Sequence, residues 1–437
     1  MKKLIYNIFL LSAVVLTSAC ETYLDEEPVD QISDAAVIED ATSAEATLLG
    51  AYSELQQLHA WLAVSMPGVL SDELIHSGSF PSVNDMDNNA MQSNNTTMDD
   101  HWINIYDGVY IANIVIEKIE GGEEIEGLTP ELSNQLLGEA KFLRAYFHFE
   151  GARLWGGIPL ALSTDLEELS SVSRATEEAS IQAVISDLLE AETLLSGVAM
   201  DDAPYRASEW AVKALLARVY LYNGDVSTAG DYADEVITSG LFPLQGNYPD
   251  IYGGDSDEVI FRSFQSSNDQ NDLAFYFLPS GRFELAVSDK LVNSYTAGDT
   301  RAMFAQAPSG LYYVNKYTDV ATGTDEVPII RSAEMYLIRA EANIGNAQGE
   351  SDLETVMARA GLDVSGSNPA TLDAILEQRF LELAFEGHRW YDLKRTGEAS
   401  SVMSVINPST WSATDVLMPI PFYDLTQNTN LVQNDGY

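Results

Sequence analysis

The chain is 437 residues long, 46% hydrophobic and 20% charged, an ordinary globular composition with ample length for a large buried core. Its charge is less ordinary, because 67 acidic against 22 basic side chains leave a net −45. That balance excludes non-specific nucleic-acid binding and attraction to an anionic membrane surface, and it argues against a polyanionic substrate unless a local basic pocket exists.

Lys2 and Lys3 precede a mostly apolar run from Leu4 to Leu16. That run has the length of a signal-peptide core and falls short of the ~20 residues a membrane-spanning helix needs. The following Leu16-Thr17-Ser18-Ala19-Cys20 resembles a bacterial lipobox, with Thr17 where Leu is commoner. The chemistry there needs a thiol to accept diacylglycerol and small residues to fit the signal peptidase. Cys20 is the only cysteine, so it cannot form an internal disulfide, and acylation accounts for its presence. Residues 1–19 are therefore expected to be a lipoprotein signal peptide, with Cys20 the lipidated anchor to the membrane. Glu21, Asp25, Glu26, Glu27 and Pro28 make an acidic, aperiodic tether over residues 20–40.

The body reads as helix after helix. Ser133–Trp155 is strongly helical and stops at Gly156-Gly157-Ile158-Pro159. Ser180–Leu195 is amphipathic, with Ile181, Val184, Ile185, Leu188, Leu189 and Leu195 on one side. Glu209–Tyr222 is apolar nearly all round, which predicts burial between neighbours. Asn223-Gly224-Asp225 then makes a tight turn into Ser227–Thr238. In that helix Ala229, Tyr232, Ala233, Val236 and Ile237 recur at helical spacing, Ser227 is the expected N-cap, and Gly240 ends it. This helical hairpin spans about 34 residues, the size of a tetratricopeptide unit. Arg331–Ile344 and Leu372–Phe385 are predicted as a late pair. Strand signals are few, the best being Glu258–Phe264 and Leu311–Tyr317.

Two stretches break the pattern. Ser71–Asp100 reads as a loop, rich in Asn, Ser and Asp with Gly78 and Pro81. Asn247–Phe283 contains Pro249, Gly253-Gly254 and the polar run Ser266–Asp272 before Phe275-Tyr276-Phe277. Loops this long inside a domain are usually functional or disordered.

Nucleophile-elbow, P-loop, zincin and dinucleotide-binding motifs are absent from the sequence. The five histidines show no metal-ligand spacing, and His148 and His388 are read as packed or capping side chains. Carboxylates are abundant, as a glycosidase would require. Glu334 and Glu341 lie about 10 Å apart along one helix face, and Glu382 and Glu386 about 6 Å. Glycosidases need carboxyls approaching the bond from opposite sides. With Arg331, Arg339, Arg379 and Arg389 nearby, structural ion pairing is the better reading. Sugars present apolar C–H faces rimmed by hydroxyls, which suits exposed aromatics among polar side chains. The loops supply that mixture. Candidate ligand-binding residues are Asp72, His76, Phe80, Asn88 and Trp102 in or beside the first, and Tyr276, Phe277, Arg282 and Phe283 in the second.

Several segments resemble the SusD/RagB family, surface lipoproteins that partner TonB-dependent transporters in nutrient uptake by Bacteroidetes. Glu139–Tyr146 leading into Arg153-Leu154-Trp155-Gly156-Gly157-Ile158-Pro159-Leu160 is similar to the family's first helical signature. Ala214–Tyr222, Asp299-Thr300-Arg301, Lys316-Tyr317, Ile329–Ala342, Arg359-Ala360-Gly361-Leu362, Arg379–Arg395, Met418-Pro419-Ile420-Pro421 and Gln433–Tyr437 continue in the expected order. Asn434-Asp435-Gly436 departs from the usual Asn-Pro-Gly, and the chain is short for the family. The acidic tether resembles the surface-export signal on lipoproteins of the Bacteroidetes.

The resemblance implies a mainly α fold of about four tetratricopeptide-like hairpins with few short strands and a loop-rich ligand-binding face. That helical domain would occupy residues 41–437, its N-terminal part ending near 245 and its C-terminal part starting near 246. It implies no catalytic activity and no obligatory cofactor. It further implies an outer-membrane, extracellular location and a SusC-like transporter as partner. Some members carry calcium; Asp255, Asp257 and Glu258 offer oxygens here, too few for a committed metal site. Three readings stay open at this point: a lid that delivers neutral oligosaccharide, a peptide-binding lid of the RagB type, and a lipid-anchored glycoside hydrolase. On the first, alanine at Trp102 or Tyr276 is expected to weaken binding most.

Overall fold

The computed structural model describes residues 37–199, 204–254 and 256–437. The predicted signal peptide, Cys20, most of the tether and Asp255 lie outside the described residues.

Asp40 caps the first helix, α1 (Ala41–Gln57), by accepting the Ser43 N–H, and Ser43 reciprocates in a capping box. A π-helical turn at Leu58–Leu62 continues α1 into α2 (Ala63–Val69). Next come β1 (Leu74–His76), α3 (Pro81–Asp87) and the 25-residue α4 (Thr96–Glu120). Then follow α5 (Pro130–Trp155), α6 (Leu166–Leu169), α7 (Glu177–Leu195), α8 (Glu209–Tyr222) and α9 (Val226–Thr238).

The C-terminal stretch carries β2 (Val259–Ser263), α10 (Leu273–Phe277), β3 (Leu285–Val287), α11 (Asp289–Ser294), β4 (Phe304–Gln306), β5 (Tyr312–Val314) and β6 (Val327–Arg331). It ends in α12 (Ser332–Ala342), α13 (Ala347–Arg359), α14 (Leu372–Glu382), α15 (Arg389–Arg395), α16 (Ala399–Ile406) and α17 (Phe422–Gln427).

Eight helices stack in series: α1 on α4, α4 on α5, α5 on α7, α7 on α8, α8 on α9, α9 on α12 and α12 on α13. Taken in pairs they are four tetratricopeptide-like hairpins, as predicted. The α8–α9 hairpin has the predicted turn, with Gly224 at φ +82°, where a side chain would be strained. Asp225, rather than the predicted Ser227, caps α9 by accepting the Thr228 N–H. The partner of α12 also differs from the prediction. Its hairpin mate is α13, whose few apolar side chains, Leu353 and Val356 among them, hide in a polar sequence. Burial explains why α8 forms: Ala211, Val212, Leu215, Leu216, Val219 and Leu221 leave water together. Each such Val or Leu contributes roughly 1.5–3 kcal/mol.

The strands β1, β3, β5 and β4 form one antiparallel sheet in that order, and β2 pairs with β6. Ser71–Asp100 is not the continuous loop expected. Pro81 starts α3 from its first turn, and Asn95 caps α4 by accepting from Thr97 and Met98 N–H.

The long carboxylate list resolves into buried ion pairs that bind helices to the sheet. Arg331 contacts Glu258 at 2.8 Å, Glu382 at 2.5 Å and Glu386 at 2.8 Å. Lys316 meets Glu386 at 2.8 Å, and Arg218 meets Glu334 at 2.6 Å. Burial raises the pKa of Glu382 and Glu386, but their cationic partners outweigh it and hold both near about 2. Two segments share the pattern Phe-Glu-Gly-x-Arg, Phe149–Arg153 and Phe385–Arg389, and they use their charges differently. Glu150 pairs with Arg153 within its own segment, whereas Glu386 goes to Arg331 and Lys316, and Arg389 goes to Asp72.

Candidate functional site

The two irregular stretches meet beside the end of α1. Along α1 and the π-turn, Ala44, Leu48, Ala51, Leu55, Leu58 and Leu62 form the buried stripe, and Trp61 stands one position off it, only partly covered. A π-turn inserts a residue into helical register, and such bulges recur at functional sites. Here it coincides with Trp61, which rests against Tyr276 with ring centres 5.1 Å apart. Phe80 precedes Pro81, so its backbone is extended (φ −74°, ψ 111°), as a residue before proline prefers. From that position its ring meets Tyr276 at 5.7 Å, edge to face. Phe275, 40% exposed, also meets Tyr276, with ring centres 5.5 Å apart. The result is a partly exposed group of four rings supplied by three separate segments.

Glu284 organises this group. The β1–β3 register sets His76 opposite Leu285, which carries residues 77–80 across Glu284. The Glu284 carboxylate accepts the Ser79 N–H at 2.7 Å, the Phe80 N–H at 3.1 Å and Arg282 Nε at 2.6 Å. His76 Nε2 lies 3.3 Å away. Burial raises the Glu284 pKa, but the donated N–H bonds and the Arg282 charge outweigh it and leave it lowered, so it is ionised at neutral pH. Arg282, held this way, places its guanidinium carbon 3.8 Å from the Phe80 ring centre. A Cβ on Gly78 would sit 2.0 Å from the Glu284 carboxylate, so only glycine lets the loop come this close. Burial together with Asp272 holds the Tyr276 phenol above its usual value, keeping the hydroxyl neutral.

Of the residues singled out in the sequence, Phe80, Tyr276 and Arg282 are brought together, with His76 and Phe283 behind them. Phe283 occupies a left-handed conformation at φ +52°, and its carbonyl accepts from Ser77 Oγ at 2.9 Å. The others go elsewhere. Trp102 is 4% exposed inside α4, packed 4.8 Å from Tyr106 and 5.0 Å from Trp155, and its indole donates to Asp424. Phe277 is wholly buried against Tyr317 and Phe385. Asp72 is buried in a two-pronged ion pair with Arg389, at 2.6 and 2.9 Å. Asn88 is exposed at the end of α3, bonded back to the Asn84 carbonyl at 2.7 Å. These four side chains, held by packing, ion pairing or a helix end, do not join the aromatic group. Trp61, Phe275 and Glu284 were missed. Trp61 was detectable as a large ring off an otherwise regular stripe, whereas Glu284 looked like any surface acid.

No group of three or more His, Cys, Asp or Glu that could hold a metal occurs among the described residues. Glu258 spends its oxygens on Arg331, Arg359 and the Gln245 N–H, which leaves Asp257 alone of the described acids suggested for calcium. His148 and His388 are buried, and desolvation lowers both pKa values, to about 3 for His148, so both are neutral packed side chains.

Residues 22–221 match a SusD-like family model described as starch-binding and associating with the outer membrane, and residues 286–437 match the SusD family model. A SusD-like protein of Formosa agariphila is 27% identical over 98% of both chains. Among solved structures, a laminarin-binding SusD-like protein superposes with a TM-score of 0.83 at 25% identity, covering 91% of this chain and 100% of that one. Surface glycan-binding protein A of Bacteroides thetaiotaomicron, in complex with laminarihexaose, shares the fold at a TM-score of 0.78 and 22% identity, over 90% and 99% of the two chains. With two models of one family matched in order along the sequence, and the same fold in its relatives, this chain belongs to the SusD/RagB family.

Proposed function

We propose that the protein holds a neutral oligosaccharide non-covalently on the Trp61–Phe80–Tyr276 group and passes it, chemically unaltered, to a TonB-dependent outer-membrane transporter. Acylation of Cys20 tethers it to the outer surface of that membrane. The observation that carries the binding half is the ring group itself: partly exposed aromatic faces, a neutral phenol and a fixed guanidinium surround one spot. Such a surface matches the alternation of C–H faces and hydroxyls on a sugar. Two relatives are named for laminarin or were crystallised with its hexasaccharide, which makes a β-glucan of that type the first ligand to try. The glycosidase alternative loses its best carboxylates, since Glu334, Glu341, Glu382 and Glu386 are all consumed in ion pairs.

Calorimetric titration of the purified protein with laminarihexaose, followed by chromatography of the sugar, tests the reading. Micromolar to millimolar binding with the hexasaccharide recovered intact is expected. Release of shorter sugars would sink it. The tether is tested by replacing Cys20 with Ser, which should move the protein from the membrane to the soluble fraction.

A further inference from the structure

The segment after β2 runs beside α1 from Phe264 to Tyr276, and two hydrogen bonds dock it there. Gln56 Nε2 donates to the Asp269 carbonyl at 3.0 Å, and the Asp272 N–H donates to the Ala60 carbonyl at 2.9 Å. One end of this segment is Tyr276, in the ring group already described. The other end is Phe264, 53% exposed and set edge to face on Tyr205 at 5.5 Å. Between Phe264 and α1 lies a cleft of about 520 Å³, bordered by Leu49, Gln56, Tyr205 and Phe264 with Arg206 and Asp269 at its rim. Its fixed parts are well held: Tyr205 donates to Glu326 at 2.6 Å, and Arg206 bridges Glu139 and Glu45. An exposed ring on an aromatic partner, flanked by the Gln56 amide and the Asp269 carboxylate, resembles the first site in its mixture of apolar and polar groups. From Gln56, in the cleft, to Trp61, in the ring group, is five residues, about 7–8 Å of helix axis. The two surfaces thus follow one another along the axis of α1 and its π-turn, separated by the Ser266–Asp272 loop.

We propose that the Tyr205–Phe264 cleft is a second carbohydrate subsite, so that one oligosaccharide chain lies along α1 with units on both ring surfaces. The proposal rests on the glycan-binding reading above and adds to it a selection for chain length. A disaccharide fills one surface only. A hexasaccharide reaches both, and its affinity gains from Phe264 while the disaccharide's does not.

The test compares laminaribiose with laminarihexaose by calorimetry on the wild-type protein and on Phe264→Ala, Phe264→Tyr and Tyr276→Ala. Phe264→Ala should lower hexaose affinity about three- to tenfold, the worth of one stacked ring, and leave biose affinity and the circular-dichroism spectrum unchanged. Phe264→Tyr should restore hexaose binding, which an indirect folding effect would not predict. If Phe264→Ala leaves hexaose affinity unchanged while Tyr276→Ala reduces it, the second subsite is refuted and the first stands. If neither sugar binds the wild-type protein, the glycan-binding reading falls and the subsite with it.

Discussion

Arg282 holds its guanidinium carbon 3.8 Å from the centre of the Phe80 ring while its Nε donates to Glu284 at 2.6 Å. The same carboxylate takes the Phe80 backbone N–H, so one buried acid fixes both the ring and the cation that covers it. The pair is presented to solvent as a unit, because Arg282 is exposed and Phe80 half-buried. Replacing Arg282 with Ala should therefore lower oligosaccharide affinity by about 1 kcal/mol, a cation–π and hydrogen-bonding loss, and also lower the melting temperature, because the buried Glu284 carboxylate loses its cation. Calorimetry with laminarihexaose reads the first quantity and a thermal melt the second.

Two tryptophans are predicted to behave oppositely. Trp61→Ala removes a partly exposed ring from the site and should cost roughly 1 kcal/mol of binding with a modest loss of stability. Trp102→Ala empties a buried position between Tyr106 and Trp155 and should cost about 3–5 kcal/mol of stability, lowering the melting temperature by several degrees. Its effect on affinity, measured well below the melt, should be small. The sequence alone favoured Trp102 as the ligand residue, so equal binding losses at both positions would restore it.

Gly78→Ala should displace the 77–80 loop. The new methyl meets the Glu284 carboxylate at 2.0 Å, which cannot retreat without dropping the Ser79 and Phe80 N–H groups. Weaker oligosaccharide binding and a destabilisation of about 1–3 kcal/mol are expected. A denaturant titration beside the binding assay separates the two.

The buried carboxylates make stability fall at both ends of the pH range. Glu382 and Glu386 titrate near about 2 in the fold against a usual 4.5, so their contribution is complete above pH 4.5 and is lost as pH falls toward 2. Glu73 has the opposite sign. Its burial, reinforced by Asp72 and only partly offset by the Phe385 N–H and Lys316, pushes it up to about 8. An acid held protonated by the fold favours folding below its usual 4.5, and that advantage drains away as pH rises to 8. Glu73→Gln keeps a carbonyl for the Phe385 N–H and removes the titration. Thermal melts should therefore show the variant gaining on the wild type, by on the order of 2 kcal/mol, between pH 5 and pH 8. Parallel curves across that window would refute it.

Helix α8 was legible to the residue because its evidence is local. A run from Glu209 to Tyr222 with almost no interior charge, ended by Asn223-Gly224, has few other ways to hide its side chains. Helix α4 was not legible at its start, because the Asn-rich stretch before it looks like a loop until Asn95 is seen to be a cap. The hairpin of α12 with α13 escaped for a similar reason: the Gly349, Glu350 and Ser351 of α13 suggest a connection, and only contact with α12 makes it a helix with a buried side.

The site divides along the same line. Composition placed aromatic side chains in two polar stretches, and the family signatures placed the scaffold around them. Neither could say which rings meet. Phe80, Phe275, Tyr276 and Trp61 come from segments up to 215 residues apart in sequence, and what joins them is the β1–β3 register, the π-turn and one buried carboxylate. The order of the amino acids alone determined an acidic, mostly helical hairpin stack with a lipobox-like start, since those properties depend on spacing and residue type within short windows. Which aromatics meet at the surface was decided only in three dimensions, because the burial of a side chain depends on whichever distant segment packs over it.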